Sequence, residues 1–278
     1  MQKRIIITNT GQWRYSNEAM ESLEKKILEP ISKNGYEIHL IAKYWKIELI
    51  EDRIREVEKY LSIARKYCKT INIEWVDEEI TNENNPFELI EHMDKLAYYK
   101  VFKMLSLINI DIEKKYEDKD IILRTRSDLI YLNSIEIIEK NLDKYIYIPP
   151  IEGHEEIPYD PRYVCNDQVA LGTVKKMKLY LTLADLDKIK IQKFEKFNIE
   201  KSNNKHGIEG ILREYLKSNK INIKNLNLLY YINGKKEQKF KKFISKYIPN
   251  KVIIINESKI KRLIFRIMKK IYYKLIIV

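Results

Sequence analysis

Over its first two thirds the chain alternates short apolar runs with segments in which apolar residues recur every three or four positions. KRIIITN (3–9), YEIHLIAK (36–43), TINIEWV (70–76), DIILRT (120–125), YIYIP (145–149) and QVALG (168–172) predict strands. Ile50, Ile54, Val57, Leu61, Ala64 and Cys68 form one helical stripe. Ile90, Met93, Ala97, Val101, Met104 and Ile108 form another after Pro86, a residue suited to a first helical turn, and this second stripe is expected to pack in the core. Strands separated by helices pair most readily in parallel, because the crossover helix brings the chain back to the starting end of the sheet. The expected fold is therefore α/β, with a Rossmann-type, mostly parallel sheet flanked by helices.

With 278 residues and 45% hydrophobic content, the chain can bury one large core with a smaller appendage. The net charge of +12 favours anionic partners: phosphates, nucleic acid or an anionic membrane surface. Cys68 and Cys165 lack the close spacing of a zinc or redox pair and are expected to be reduced core thiols, Cys68 continuing the apolar face of its helix. MQKRIIITNT enters a strand at once, without a leader-like apolar region, and no apolar run reaches the roughly 18 residues of a membrane span. A cytoplasmic protein is expected.

Chemistry concentrates in three places. In ILRTRSDLIYL (121–131), Arg124, Arg126 and Asp128 sit at the carboxyl end of a strand that is otherwise apolar. Ligands of open α/β sheets bind beyond that end. Asp is a hard oxygen ligand for Mg²⁺ or Mn²⁺ and Arg grips phosphate in a fork, so the combination suits a diphosphate. An Arg–Asp ion pair closing a loop explains the same spacing equally well. Asn166, Asp167 and Gln168 precede a short apolar strand, where Asp167 can face the same cleft or merely cap a turn. The first strand runs into Thr8, Asn9, Thr10, Gly11, Gln12, Trp13 and Arg14, a polar loop placed to receive a nucleotide. Neither a Gly-rich dinucleotide fingerprint nor a Walker loop occurs, which argues against a dehydrogenase and a P-loop ATPase.

Together these stretches resemble bacterial glycosyltransferases of the GT-A type that assemble capsule or lipopolysaccharide, including the WavE-like group. The resemblance runs over about residues 3–217, through GQWR, DIEKKYEDKDIILRTRSDLIYL, VCNDQVALGT and HGIEGILREYL. It implies a GT-A-like fold and transfer of a sugar from a nucleotide-sugar donor to a glycan or lipid-linked acceptor. It also implies a Mn²⁺ or Mg²⁺ ion held by an Asp-x-Asp element. Here that element is Arg126, Ser127, Asp128, whose first acid is replaced, so that Arg126 can neutralise phosphate directly. By the same resemblance Thr8, Gly11, Arg14, Arg124, Arg126 and Asp128 bind the donor, and Asp167 is the catalytic base. Asn166 and Glu209 border the acceptor, and Asp128 with His206 holds the metal. For His206 the plainer alternative is a solvent-facing side chain. The lysine-rich stretch 187–206 is expected to be a polar loop or linker and a candidate lid, and His154 lies in a loop bordering the acceptor or simply joining strands.

From Ser258 to Val278 there are seven Lys or Arg and no acid, so residues 1–257 carry +5 of the +12. Ile260, Leu263, Ile264, Ile267, Ile271, Leu275 and Val278 form one stripe of a basic amphipathic helix that suits an anionic membrane surface, or else packs on the domain. The expected organisation is a catalytic domain over 1–220, a closing strand/helix segment over 221–257 and this helix over 258–278, with the protein peripheral on the inner face of the membrane. The rival functions are a nucleic-acid-binding protein, supported by KKEQKFKKFISK (235–246) but by no recognised motif, and a sugar nucleotidyltransferase, which would carry a Gly-rich loop where TNTGQWRY stands. No nucleic-acid partner is expected.

Overall fold

The computed structural model describes residues 3–45, 51–76, 85–88, 90, 95–137, 141–149, 167–202, 207–228 and 230–232. Seven strands form one sheet: β1 (Arg4–Gly11), β2 (Glu37–Trp45), β3 (Cys68–Val76), β4 (Ile121–Thr125), β6 (Tyr145–Ile148), β7 (Ala170–Thr173) and β8 (Asn222–Asn225), in the order β3-β2-β1-β4-β7-β6-β8. Two short strands, β5 (Leu129–Tyr131) and β9 (Tyr230–Ile232), pair separately as an antiparallel ladder. Strands β1 to β4 are mutually parallel, and β6 and β8 are parallel to each other. Only β7 runs against its neighbours, antiparallel to both β4 and β6. The expected α/β, mostly parallel architecture is what the chain adopts.

Both faces of the sheet are covered, so the central strands are apolar on both sides, as parallel strands usually are. Ile5, Ile7 and Leu123 face the side packed by α1 (Asn17–Leu23), α2 (Glu29–Lys33) and α3 (Glu51–Tyr67). Between α1 and α2 the helix continues in π form over Glu24–Leu28. Ile6 and Ile122 face the opposite side, packed by α4 (Lys95–Glu113), α5 (Val174–Leu181) and α7 (Gly207–Ser218). Each such isoleucine, almost wholly removed from water, stabilises the fold by roughly 1.5–3 kcal/mol.

Two local expectations are corrected. Cys68 opens β3, one residue after α3 ends, rather than extending the helix; burial pushes its thiol up to about 12, which keeps it protonated. Most of the stretch read as a polar loop, 187–206, is helix α6 (Lys188–Ser202). Asp187 starts it, its carboxylate accepting from the Lys190 amide at 2.7 Å. Ile191 is fully buried and Phe194 packs on Tyr215 of α7 at 5.8 Å between ring centres, while Ile189 is exposed. A few well-placed contacts on α7 hold a helix that has no continuous apolar stripe. Pro86 lies in a turn whose Asn85 side-chain Oδ1 accepts from the Phe87 amide, and α4 is described only from Lys95. No helix among the described residues is long and apolar enough to cross a membrane. The basic tail, 258–278, lies outside the described residues, as do Cys165 and the strand-like KVIIINE of the closing segment.

Candidate functional site

A cleft of about 260 Å³ opens at the carboxyl ends of β1, β2 and β4. Its position follows from strand direction. In a parallel sheet all carboxyl ends share one edge, and β1 delivers Thr10, Gly11, Gln12 and Arg14 there while β4 delivers Arg124, Arg126, Ser127 and Asp128. Gly11 closes β1 at φ 111°, a backbone angle that side-chain-bearing residues rarely adopt, and this lets the chain leave the sheet. The reversal of β7 supplies the last wall. Since Ala170 pairs with Arg124 in an antiparallel ladder, the residue that precedes β7, Asp167, comes to the end where β4 finishes.

The two loops are bonded together. Ser127 Oγ–H donates to the Gln12 carbonyl at 2.8 Å and accepts from the Arg14 amide at 3.3 Å. Arg126 grips Asp128 with two bonds, Nε to Oδ1 at 3.0 Å and Nη2 to Oδ2 at 2.7 Å. Arg14, mostly exposed, reaches Asp128 Oδ2 at 3.8 Å and donates to the Gln12 side-chain carbonyl. Behind them Arg124 is wholly buried, and none of its three guanidinium nitrogens has a hydrogen-bond partner among the described residues.

Burial sets the electrostatics of this floor. It pulls the Arg124 guanidinium below its ordinary range, although Tyr180 and Asp167 nearby work the other way and Arg126 adds to the depression. Burial also weighs against the Arg126 charge, and Asp128 and Asp167 more than offset it. For Asp167, itself buried, desolvation raises the carboxyl above the usual carboxylate range despite the pull of Arg126 and Arg124. Glu209, in the first turn of α7, is pushed up to about 8 by burial and by the charge of Asp167. The floor thus holds two guanidiniums and an acid that retains its proton more readily than an ordinary carboxyl.

The opposite wall is less polar: Trp45 at the end of β2, and Ala97, Tyr98 and Val101 on α4. Ala97 and Val101 belong to the stripe expected to pack in the core; both line the cleft, and Val101 also packs against the core. Gly11, Arg14, Arg124, Arg126, Asp128 and Asp167 line the cleft as their sequence positions suggested. Thr8 is fully buried one step behind it, and Glu209 lies near Asp167 without lining the cavity. Asn166, His206 and His154 fall outside the described residues. Trp45 was not singled out as a site residue, although the rule that located Arg124 also marks the end of β2. His39, inside β2, is held between Thr70 at 2.8 Å and Glu37 at 2.9 Å, away from the cleft.

The residues around Asp128 do not fit the divalent ion implied by an Asp-x-Asp element. Arg126 already neutralises this carboxylate through both oxygens, Arg124 lines the same cleft, and the described residues contain no group of three His, Cys, Asp or Glu side chains that could hold a metal.

No protein-family model and no curated protein matches the sequence. Among solved structures the chain is similar to mouse xyloside xylosyltransferase 1 in its apo form, with 12% identity and a TM-score of 0.43 over 81% of this chain and 85% of that one. It is also similar to galactosyltransferase LgtC in complex with donor and acceptor sugar analogues, at 14% identity and a TM-score of 0.34 over 80% and 73% of the respective chains. Core-mannan synthase A from Aspergillus fumigatus, in its Mn/GDP form, aligns at 10% identity and a TM-score of 0.41 over 83% and 74%. Likeness of this degree assigns no chemistry to the chain. The chemistry has to come from the cleft's own residues.

Proposed function

We propose that the chain is a GT-A-type glycosyltransferase that moves a sugar from a nucleotide-sugar donor to a glycan or lipid-linked acceptor in bacterial surface polysaccharide synthesis. The observation that carries this is Arg124, a buried guanidinium without a hydrogen-bond partner among the described residues, lining the same cleft as an acid, Asp167, at the carboxyl ends of the parallel strands. Transfer from a nucleotide sugar requires neutralisation of the leaving diphosphate, an oriented acceptor hydroxyl and a site shielded from water. Arg124 and Arg126 supply the first. Asp167 supplies a base: its carboxylate takes the hydroxyl proton as the acceptor oxygen bonds to the anomeric carbon and the bond to the diphosphate oxygen breaks. Trp45, Tyr98 and Val101 give a wall on which a ring can rest. The lipid-linked acceptor and the membrane surface rest on the sequence of the tail, whose basic stripe suits an anionic bilayer.

Thermal melts against a panel of nucleotide sugars and nucleoside diphosphates test the proposal. At least one nucleotide sugar is expected to raise the melting temperature, since a ligand at 100 times its Kd stabilises by about 2.7 kcal/mol, and to release nucleoside diphosphate when an acceptor is added. A protein indifferent to every nucleotide sugar, yet binding RNA or DNA with a steep dependence on salt, would be a nucleic-acid binder instead.

A further inference from the structure

We propose that the cleft binds a diphosphate group without a divalent cation, the guanidiniums of Arg124 and Arg126 standing where a metal ion would otherwise act. The inference rests on the nucleotide-sugar reading only for the identity of the group that carries the diphosphate.

Three observations converge. Arg124 is wholly buried, and no nitrogen of its guanidinium has a hydrogen-bond partner among the described residues. An unpaired buried charge opposes folding, and such groups are almost always matched by a counter-charge. Arg124 also borders the cavity, so its charge acts on an anion in the cleft from just beneath the cavity floor. The second observation is the state of Asp128. A cation at this carboxylate would meet the guanidinium charge of Arg126, which already bonds both oxygens at 3.0 and 2.7 Å. The third is the balance of charge. Arg14, Arg124 and Arg126 line the cleft against Asp128 and Asp167, and the latter holds its proton above the ordinary carboxylate range. The excess is already positive, which repels a second cation and attracts a polyanion.

The arrangement is also rigid, because Ser127 bonds the β4 turn to the β1 loop through Gln12 and Arg14. Donors fixed before the ligand arrives need no reorganisation when it binds. Arg126, its inner edge held by Asp128, is oriented as one side of a clamp, and Arg124 forms the floor.

Calorimetric titration of the full chain with inorganic pyrophosphate and with UDP and GDP, each in EDTA and in Mn²⁺, tests this. Affinity for pyrophosphate in EDTA is expected within about threefold of that in Mn²⁺, and Arg124→Met is expected to lose at least about tenfold, the size of one charge-assisted contact. Because the substitution removes an unpaired buried charge, the melting temperature of Arg124→Met should not fall. The chelator comparison on the unaltered chain needs no variant, so a misfolded Arg124→Met protein would not shelter the proposal. Binding that appears only with Mn²⁺, or a folded Arg124→Met protein of undiminished affinity, overturns it. Nucleotide-sugar transfer that requires metal would overturn metal-free binding and leave glycosyl transfer standing. Pyrophosphate binding in EDTA without recognition of any nucleotide sugar would keep the anion site and overturn glycosyl transfer.

Discussion

At the amino ends of β1 and β4, Arg4 donates to Asp120 Oδ1 at 3.0 Å, lies 2.8 Å from Asp120 Oδ2, and reaches Glu117 at 3.2 Å. At the carboxyl ends of the same two strands, Arg124 is more deeply buried and has no hydrogen-bond partner. Around it the Thr8 and Thr10 hydroxyls and the Trp45 indole N–H are likewise buried without hydrogen-bond partners among the described residues. Both ends pair an arginine with an aspartate, but the carboxyl end also buries Arg124, whose guanidinium has no hydrogen-bond partner among the described residues. Asp120 also accepts from the Glu117 amide through its carboxylate and from the Val174 amide through its carbonyl, binding β4 to α5. One end is a staple and the other leaves its hydrogen-bonding capacity open toward a cavity. That asymmetry, more than the net charge, marks where a ligand belongs.

The strongest attempt to break the comparison is Asp167→Asn. With the acid as general base, transfer should fall by about 10²- to 10⁴-fold while donor affinity barely changes. Kinetics of transfer beside calorimetric donor binding measure the two separately. Equal losses in both would make Asp167 a binding or folding residue and the two ends of the sheet more alike than they look.

Next in size is a matched pair of truncations. Asp120→Ala and Asp128→Ala each remove a buried carboxylate from a partly exposed arginine, and breaking such a pair costs at most about 3–5 kcal/mol, less here because Arg4 and Arg126 are partly solvated. Chemical denaturation should show roughly equal losses of stability. Donor affinity should survive Asp120→Ala and change in Asp128→Ala, where Arg126 loses the carboxylate that orients it. A stable, fully active Asp128→Ala protein would remove the β4 turn from the site.

How much of this was legible in the sequence depends on the range of the interaction. The strands were legible because period and apolarity are local, and Arg124, Arg126 and Asp128 stood out because charges interrupt a buried strand. The direction of β7 was not: VALGT reads the same in either orientation, and only pairing with β4 fixes it. For Asp128, spacing left ion pair and diphosphate cleft even. The structure shows the ion pair, a bidentate one, and sets it in the wall of a cleft, so the pair does not by itself decide against a binding role. Ala97 and Val101 were taken for core because a helical stripe tells which residues share a face and not what that face meets. Helix α6 escaped notice because two contacts on α7 replace a stripe.

A smaller effect should appear in the pH dependence of stability. Glu209 titrates at about 8 in the folded protein against 4.5 for the free side chain. Below the lower value both states are protonated and nothing is lost. Between the two the folded state keeps a proton the unfolded chain has released, so stability falls as pH rises, and above about 8 the loss is complete. Melting temperatures from pH 4 to 9 should therefore decline more steeply for the parent than for Glu209→Gln. Parallel curves would mean that Glu209 is solvated and does not sense Asp167.

The smallest predicted effect separates the cleft's two unlike cationic sites. Arg14 is 56% exposed at its side chain and lies 3.8 Å from Asp128, a geometry in which solvent and salt weaken the interaction. Arg14→Ala should therefore reduce diphosphate affinity by only about two- to fivefold, the equivalent of the roughly 0.2–1 kcal/mol typical of exposed pairs. Screening makes the difference testable, because at 1 M salt the Debye length shrinks to about 3 Å and exposed charges lose most of their reach, whereas buried ones are screened far less. Titrations in low and high salt should show the Arg14→Ala defect vanishing as salt rises while the Arg124→Met defect persists. If both defects faded together, Arg124 would be acting through solvent like any surface arginine, and the contrast between the stapled end of the sheet and its open end would lose its physical basis.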